Sequence, residues 1–272
     1  MEVKKNLKML KVKNLYFNYG KTEVLKNISF HVKDGQMCGL FGPNGSGKTT
    51  LFKACLNFLK FNRGEVIVDG EDVKNKSVEE MAKLVAYVPQ EHKPPFPYLV
   101  KEVVLMGRTP HLGGIFGICN EDKHKALDAL KLLGILHLAD KPYNQLSGGQ
   151  RQLVLIARAV CQETKLLFLD EPTSALDFSN QILIWKILQK IADKGTTIFA
   201  CTHDPNHILW FCNHVIVLGD KEIVANGHPK DWINKEILGK IYGNVCDVKN
   251  FDDIGVVVPS EVKSDNNSII SQ

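Results

Sequence analysis

The sequence predicts an α/β protein that begins with antiparallel strands and continues as a core of strands and helices interrupted by an inserted helical block. The first forty residues alternate apolar and polar side chains, with turn residues at Asn18, Gly20 and the Asp34-Gly35 pair, which is typical of antiparallel strands. A short apolar run then leads through a glycine-rich loop at residues 42–49 into a helical stretch. This strand–loop–helix unit indicates an α/β core.

The residues between about 91 and 163 differ in character from those on either side. A proline-rich connection is followed by two helical stretches. In the first stretch, Ala126, Leu130 and Leu133 recur at helical spacing, and the second stretch follows Ser147. These patterns predict an α-helical subdomain inserted into the core.

The α/β pattern resumes after the insertion. Residues 165–170 form an apolar run that predicts a strand, and an apolar stripe over residues 184–191 predicts a helix that ends at Gly195. Residues 214–227 read as a β-hairpin. Because the last dozen residues lack periodicity, we expect a mobile tail. The expected limits are 1–254 for the α/β domain, with its core at about 1–90 and 164–254 and its helical subdomain at about 91–163, and 255–272 for the tail.

The amino-acid composition argues against several classes of function. The 272 residues carry 34 basic and 30 acidic side chains, and no stretch forms a dense basic block, so we expect no nucleic-acid partner. The seven cysteines are odd in number and include no CxxC pair, which favours reduced thiols in the cytosol over disulfides. No signal-peptide pattern is visible, and no run approaches the roughly 18 apolar residues that span a bilayer. We therefore expect any action at a membrane to require a partner.

Residues 42–49 read GPNGSGKT and satisfy the pattern GxxxxGK[ST] between a strand and a helix. Glycines let backbone N–H groups curl around phosphates, and the helix N-terminus adds partial positive charge. We expect Lys48 to reach the β- and γ-phosphates of ATP and the Thr49 hydroxyl to bind Mg²⁺. The residues predicted to bind ATP in this loop are Gly42, Pro43, Asn44, Gly45, Ser46, Gly47, Lys48, Thr49 and Thr50.

Two carboxylates end the strand KLLFLDE. Asp170 is placed to hold Mg²⁺ through water, and Glu171 is a candidate general base for the attacking water, with turn capping as the alternative for such a pair. LSGGQ at residues 146–150 predicts a second anion site, built from backbone donors where an amphipathic helix begins. The nucleotide-binding residues predicted in this second site are Ser147, Gly148, Gly149 and Gln150.

The order of the phosphate loop, LSGGQ and KLLFLDE resembles the ATP-binding cassette (ABC) family, and the resemblance covers roughly residues 7–245. It implies a P-loop NTPase core of the RecA-like kind that hydrolyses ATP with Mg²⁺. It also implies that Tyr19 stacks on adenine, with Tyr16 as the alternative. SALD at 174–177 is similar to the family's D-loop, which runs along the dimer interface. The catalytic residues that it implies are Lys48, Gln90, Glu171 and His203, and the metal ligands are Thr49, Gln90 and Asp170.

The resemblance also implies partners. In this family LSGGQ of one chain closes on the nucleotide held by another, so we expect a homodimer around two ATP. Residues 100–114 and the EPTSALD form resemble importer ATPases for iron-siderophore, haem, cobalamin or molybdate. This implies integral-membrane permease subunits, indirectly a substrate-binding protein, and a peripheral position at the cytoplasmic face of the cell membrane. The proline-rich residues 94–99 are the expected permease groove. The alternative to an importer ATPase is a non-transport ABC ATPase or an exporter subunit.

Overall fold

The structure is a computed structural model that describes residues 8–90, 97–112, 117–174 and 176–260. The strands are β1 (Lys8–Tyr19), β2 (Thr22–Lys33), β3 (Met37–Phe41), β4 (Arg63–Val68), β5 (Glu71–Asp72), β6 (Val85–Val88), β7 (Leu166–Asp170), β8 (Thr197–Thr202), β9 (His214–Gly219), β10 (Glu222–Gly227), β11 (Cys246–Phe251) and β12 (Ile254–Pro259). The helices are α1 (Lys48–Cys55), α2 (Val78–Leu84), α3 (Val100–Leu105), α4 (Asn120–Leu132), α5 (Gly148–Cys161), α6 (Phe178–Asp193), α7 (Pro205–Phe211), α8 (Pro229–Trp232) and α9 (Lys235–Tyr242).

The N-terminal strands form an antiparallel sheet of order β2-β1-β4-β5, as the alternation in the first forty residues predicts. Alternate side chains of β1, at Leu10, Val12 and Leu15, are buried. They belong to one apolar cluster with Phe52 of α1 and Phe168 of β7. This shared cluster fixes the antiparallel sheet against the helix that follows the phosphate loop.

A second sheet has the order β10-β9-β3-β8-β7-β6. The five strands from β9 to β6 are parallel, and β10 pairs antiparallel with β9 in the predicted hairpin. Every residue of β3, β7 and β8 is buried, which explains why these strands read as continuous apolar runs instead of alternating ones. Because they are parallel, β3, β8, β7 and β6 all end at the same edge of the sheet.

Helices α3, α4 and α5 pack on one another within the inserted region. Their apolar faces share a cluster that includes Val103, Leu130 and Ile156. One buried cation lies beside this cluster: the Arg108 guanidinium donates to Asp122 Oδ1 at 3.0 Å. Burial of paired charges is tolerated when hydrogen bonds compensate the lost hydration, so this contact ties α4 to the turn after α3.

The C-terminal region differs from the predicted tail. The expectation that a tail begins at residue 255 is wrong for residues 255–260, because β11 and β12 form an antiparallel hairpin over 246–259. The hairpin packs on α7, and the Trp210 indole donates to the Gly255 carbonyl at 2.9 Å. The strands are short and half-buried, so their pattern is weak in the sequence. Residues 261–272 lie outside the described residues.

Candidate active site

The predicted site residues follow four neighbouring strands of the parallel sheet. The phosphate loop follows β3, His203 follows β8, Glu171 follows β7, and Gln90 lies two residues beyond β6. The crevice at the carboxyl ends of parallel strands is the usual ligand-binding position in open α/β sheets. The strand order therefore brings together residues that are up to 161 positions apart in the sequence, from Gly42 to His203.

The phosphate loop is closed on itself by its lysine. Lys48 is buried, and its ammonium donates to the carbonyl oxygens of Gly42 and Pro43, both at 2.9 Å. Gly47 has a φ of 101°, a conformation that side-chain-bearing residues rarely adopt. At Gly42 a Cβ would lie 2.2 Å from the Leu218 carbonyl oxygen. These two positions therefore require glycine for the loop to keep its path.

The N-terminus of α1 is suited to binding an anion. Its first turn contains no acidic residue, and no side chain caps it at Gly47, which leaves backbone N–H groups free to bind a ligand. Ser46 Oγ is buried and has no hydrogen-bond partner among the described residues. A buried hydroxyl without a partner is costly, and a phosphate oxygen would satisfy it. These residues fit the phosphates of a nucleotide.

Thr49 and Asp170 face each other beneath the phosphate loop. The Thr49 hydroxyl lies 3.5 Å from Asp170 Oδ1. Burial raises the pKa of Asp170, although hydrogen bonds from Thr49 and Cys201 oppose this shift. A cation beside this carboxylate would offset the cost of burying its charge. The hard oxygen ligands of this pair fit Mg²⁺.

The Glu171 carboxylate, which follows β7, lies close to side chains that follow the neighbouring strands β6 and β8. Its Oε2 accepts from Gln90 Nε2 at 3.3 Å and lies 3.2 Å from His203 Nδ1. Glu171 has a φ of 48°, a left-handed conformation that costs non-glycine residues of order 1–3 kcal/mol. Its amide donates to the Cys201 carbonyl of β8, which holds this backbone in place. One oxygen of the Glu171 carboxylate is thus close to the side chains of both Gln90 and His203, which are also predicted to be catalytic.

The LSGGQ segment begins α5, as its pattern predicts. Ser147 caps the helix, and its side chain and that of Gln150 exchange hydrogen bonds with each other's backbone. Gly149 packs against Asn180, since a Cβ there would lie 3.0 Å from that side chain. Within the described residues, no hydrogen bond or ion pair joins residues 147–150 to the phosphate loop. The structure therefore brings Lys48, Thr49, Gln90, Asp170, Glu171 and His203 to one edge, while Ser147, Gly148, Gly149 and Gln150 form a separate group.

A family model described as "ABC transporter" matches residues 25–174, which is 150 of the 272 residues. The chain belongs to the ABC transporter family. The RecA-like P-loop fold predicted from the sequence is confirmed, and the chain binds and hydrolyses ATP as the ATP-binding subunits of this family do. No helix in the described part of the chain is long and apolar enough to cross a bilayer.

Relatives and solved structures agree with this assignment. The chain is 36% identical to the ferric enterobactin transport ATP-binding protein FepC of Escherichia coli, over 87% of this chain and 88% of FepC. It is 37% identical to the manganese transport system ATP-binding protein MntB of Halalkalibacterium halodurans, over 92% and 98% of the two chains. A solved ABC transporter described as metal-chelate type, in an inward-facing conformation, has a TM-score of 0.81 and 31% identity, covering 94% of this chain and 99% of that one.

The two candidate adenine-stacking residues of this ABC subunit differ in their surroundings. The Arg63 guanidinium covers the Tyr16 ring, with its carbon 4.0 Å from the ring centroid. Tyr19 is 49% exposed, and Phe17 contacts it edge-on with ring centroids 4.9 Å apart. The strand that pairs with Tyr19 leads to Val24, whose carbonyl lies against Gly47 of the phosphate loop. Tyr19 is thus the more exposed of the two rings, and it pairs with the strand that leads to the phosphate loop.

Tyr87 is a site residue that the sequence reasoning missed. It lies on β6, and its phenol lies close enough to the Asp170 carboxylate to feel its charge. Burial, together with the Asp170 carboxylate, raises the pKa of Tyr87 to about 12. The signal available in the sequence was a tyrosine three residues before Gln90 within an otherwise apolar strand. A half-buried phenol favours a polar partner, and within the described residues β6 pairs with β7, which ends in Asp170.

Proposed function

We propose that this chain is the ATP-hydrolysing subunit of an ABC importer that dimerises around two ATP. It would energise transport of a metal chelate or a molybdate-type substrate through a separate permease, from the cytoplasmic face of the cell membrane. The observation that carries the proposal is the meeting of Gln90 and His203 on the Glu171 carboxylate beside a complete phosphate loop. The names of the relatives, which refer to ferric enterobactin, manganese and a metal chelate, supply the substrate class.

Each site residue has a proposed role that follows from its position. Lys48 leaves its two loop carbonyls to pair with the β- and γ-phosphates, a change of partners that costs little because its ammonium is already buried there. Glu171 takes the proton of the attacking water, and Gln90 and His203 orient that carboxylate. Thr49, Gln90 and Asp170 would hold Mg²⁺, which neutralises the charge that develops on the phosphates.

The separation between the two anion sites, the phosphate loop and the N-terminus of α5, supports the proposed homodimer. The phosphate loop and the N-terminus of α5 each present backbone donors, and within the described residues no hydrogen bond or ion pair joins them. Leu176 of the SALD segment packs against Gly148, and Asp177 caps α6, so the described part of this segment lies beside the N-terminus of α5. A second chain that places its own α5 over the phosphate loop would complete each site, and two-fold symmetry gives two sites per dimer.

The proposed permease surface is a cleft between the core and the helical subdomain. The cleft holds about 270 Å³, and its lining includes the exposed apolar side chains Phe58, Val78 and Met106. Exposed apolar clusters of this kind mark partner sites in soluble chains. Within the expected groove at 94–99, residues 94–96 lie outside the described residues. Leu99 is the N-cap of α3, with its amide donating to the Glu102 carboxylate at 2.8 Å.

Replacing Val78 with Asp should release the permease and leave basal ATP hydrolysis within twofold of wild type. Val78 is 77% exposed, so the charge can be solvated in the free chain, but it would have to be desolvated in a closed interface. Co-purification with a co-expressed permease and ATPase assays of the isolated chain measure the two effects. The matched control is Val245→Asp, a 64% exposed valine outside the cleft. Equal permease recovery with both variants would place the docking surface elsewhere.

The import direction and substrate class are tested by uptake. Deleting the gene should lower accumulation of one radiolabelled substrate among ferric siderophore, haem, cobalamin and molybdate by roughly tenfold or more, because the motor reaction is lost. Expressing the wild-type chain should restore uptake, whereas Lys48→Ala should not. Unchanged uptake of all four, or increased retention of one, would contradict the importer and favour an exporter or a non-transport ATPase.

A further inference from the structure

Tyr242, the last residue of α9, lies against two loops of the active site at once. Its hydroxyl donates to the His203 carbonyl oxygen at 3.1 Å. Its ring contacts Phe41 edge-on, with centroids 6.0 Å apart. Phe41 is the last residue of β3 and immediately precedes Gly42. The side chain therefore joins the start of the phosphate loop to the residue that follows β8.

The Tyr242 hydroxyl keeps its proton. Burial, together with nearby negative charge, raises the pKa of Tyr242 to about 12. A backbone carbonyl can only accept a hydrogen bond, so the phenol must be the donor. The bond to His203 is thus maintained at any pH at which the protein works.

The helix after His203 is held by the C-terminal hairpin. Asn206 Oδ1, on the first turn of α7, accepts from the Val257 amide of β12 at 2.7 Å. Trp210, one turn further along α7, donates to the Gly255 carbonyl at 2.9 Å. Asp204 caps the same helix by accepting from the Asn206 amide at 2.8 Å. The segment after His203 is therefore fixed along its length by residues that come later in the chain.

The His203 side chain itself has little to hold it. It is 51% exposed, and the Glu171 carboxylate is its one ion-pair partner within the described residues. Because the histidine side of this pair is open to solvent, the pair contributes little on its own and does not fix the ring position. The orientation of the ring must come from the backbone, which β8 holds on one side and Tyr242 and α7 hold on the other.

We propose that Tyr242 is a positioning residue for hydrolysis: it holds the His203 backbone so that the imidazole meets Glu171, in register with the phosphate loop. This inference rests on the role proposed above for His203. The hairpin of β11 and β12 braces the same segment through Asn206 and Trp210. In this proposal the C-terminal hairpin contributes to catalysis through its effect on His203, and it touches no reacting atom.

Tyr242→Phe tests the proposal, because it removes the hydroxyl and keeps the ring contact with Phe41. Loss of one hydrogen bond should lower kcat about 3- to 10-fold and change the KM for ATP less than twofold. In a His203→Ala background, where there is no imidazole to position, the same change should have no further effect on single-turnover hydrolysis. Tyr242→Ala, which also loses the Phe41 contact, should raise the KM as well.

Hydrogen exchange of the backbone amides of His203, Asp204 and Asn206 gives a readout that does not depend on the role of His203. Exchange should be faster in Tyr242→Phe than in wild type, with the melting temperature within a few degrees. Unchanged exchange, or an equal loss of kcat with and without His203, would overturn the positioning role of Tyr242. Wild-type hydrolysis by His203→Ala alone would instead overturn the role proposed for His203, and with it the link from Tyr242 to catalysis.

Discussion

Glu171→Gln should lower steady-state ATP hydrolysis by about 10²–10⁴-fold while ATP binding stays intact, because a positioned general base contributes that much to the rate. Glutamine keeps the size of the side chain and an oxygen that accepts from Gln90, so the shape of the site is preserved. It cannot take a proton from water. With hydrolysis blocked, ATP should accumulate on the protein, and the nucleotide-bound dimer should persist.

The measurements are phosphate release at saturating ATP, equilibrium binding of ATP, and molar mass with and without ATP. Glu65→Gln is the matched control, because Glu65 pairs with Lys11 on the surface of β4 and such pairs contribute little. The left-handed backbone at residue 171 is the same for both amino acids, so thermal stability should not change. Hydrolysis by Glu171→Gln within threefold of wild type would show that another group is the base.

Mixing two inactive variants should restore hydrolysis if the sites are shared between chains. Lys48→Ala removes the phosphate contact of one loop, and Ser147→Arg places a bulky cation where α5 begins. Each homodimer carries a lesion in both sites. The heterodimer of the two variants has one site with both lesions and one site with neither. An equal mixture forms heterodimers as half of its dimers, so activity should recover to about a quarter of wild type when sites act independently.

Heterodimer formation is checked by sequential purification on two different affinity tags, and activity is assayed in the mixture itself. The control mixture combines Lys48→Ala with Lys48→Ala carrying the second tag, which should stay inactive. Activity in neither mixture, with heterodimers present, would count against shared sites or show that both sites must be intact at once. Activity of the Ser147→Arg chain alone near the wild-type level would contradict a catalytic contribution from α5.

How far the sequence predicts this site depends on whether its residues are contiguous. The phosphate loop is eight consecutive residues, so its chemistry could be predicted from glycine spacing and one lysine. Gln90, Glu171 and His203 come from three strands, and nothing local marks Gln90 or His203. Their roles followed only from the family resemblance, and their meeting on one carboxylate oxygen is a finding of the structure.

Residues that act through long-range packing could not be predicted from the sequence. Tyr242 and His203 are 39 positions apart, and the sequence gives no indication that α9 returns to the sheet edge. The family resemblance favours Tyr19 over Tyr16 but gives no indication that Arg63 covers the Tyr16 ring. The C-terminal hairpin was missed because its strands are stabilised by α7 more than by a strong alternation of their own.

The separation of α5 from the phosphate loop, seen within the described residues, has a consequence for reaction order. If each active site requires two chains, hydrolysis by a dilute preparation rises with the square of the chain concentration and becomes first order only when dimers are saturated. Two chains held side by side on one membrane protein meet at an effective concentration set by that scaffold and not by their abundance in the cell. Chains without a scaffold would then consume little ATP, so energy expenditure would follow the number of assembled transporters.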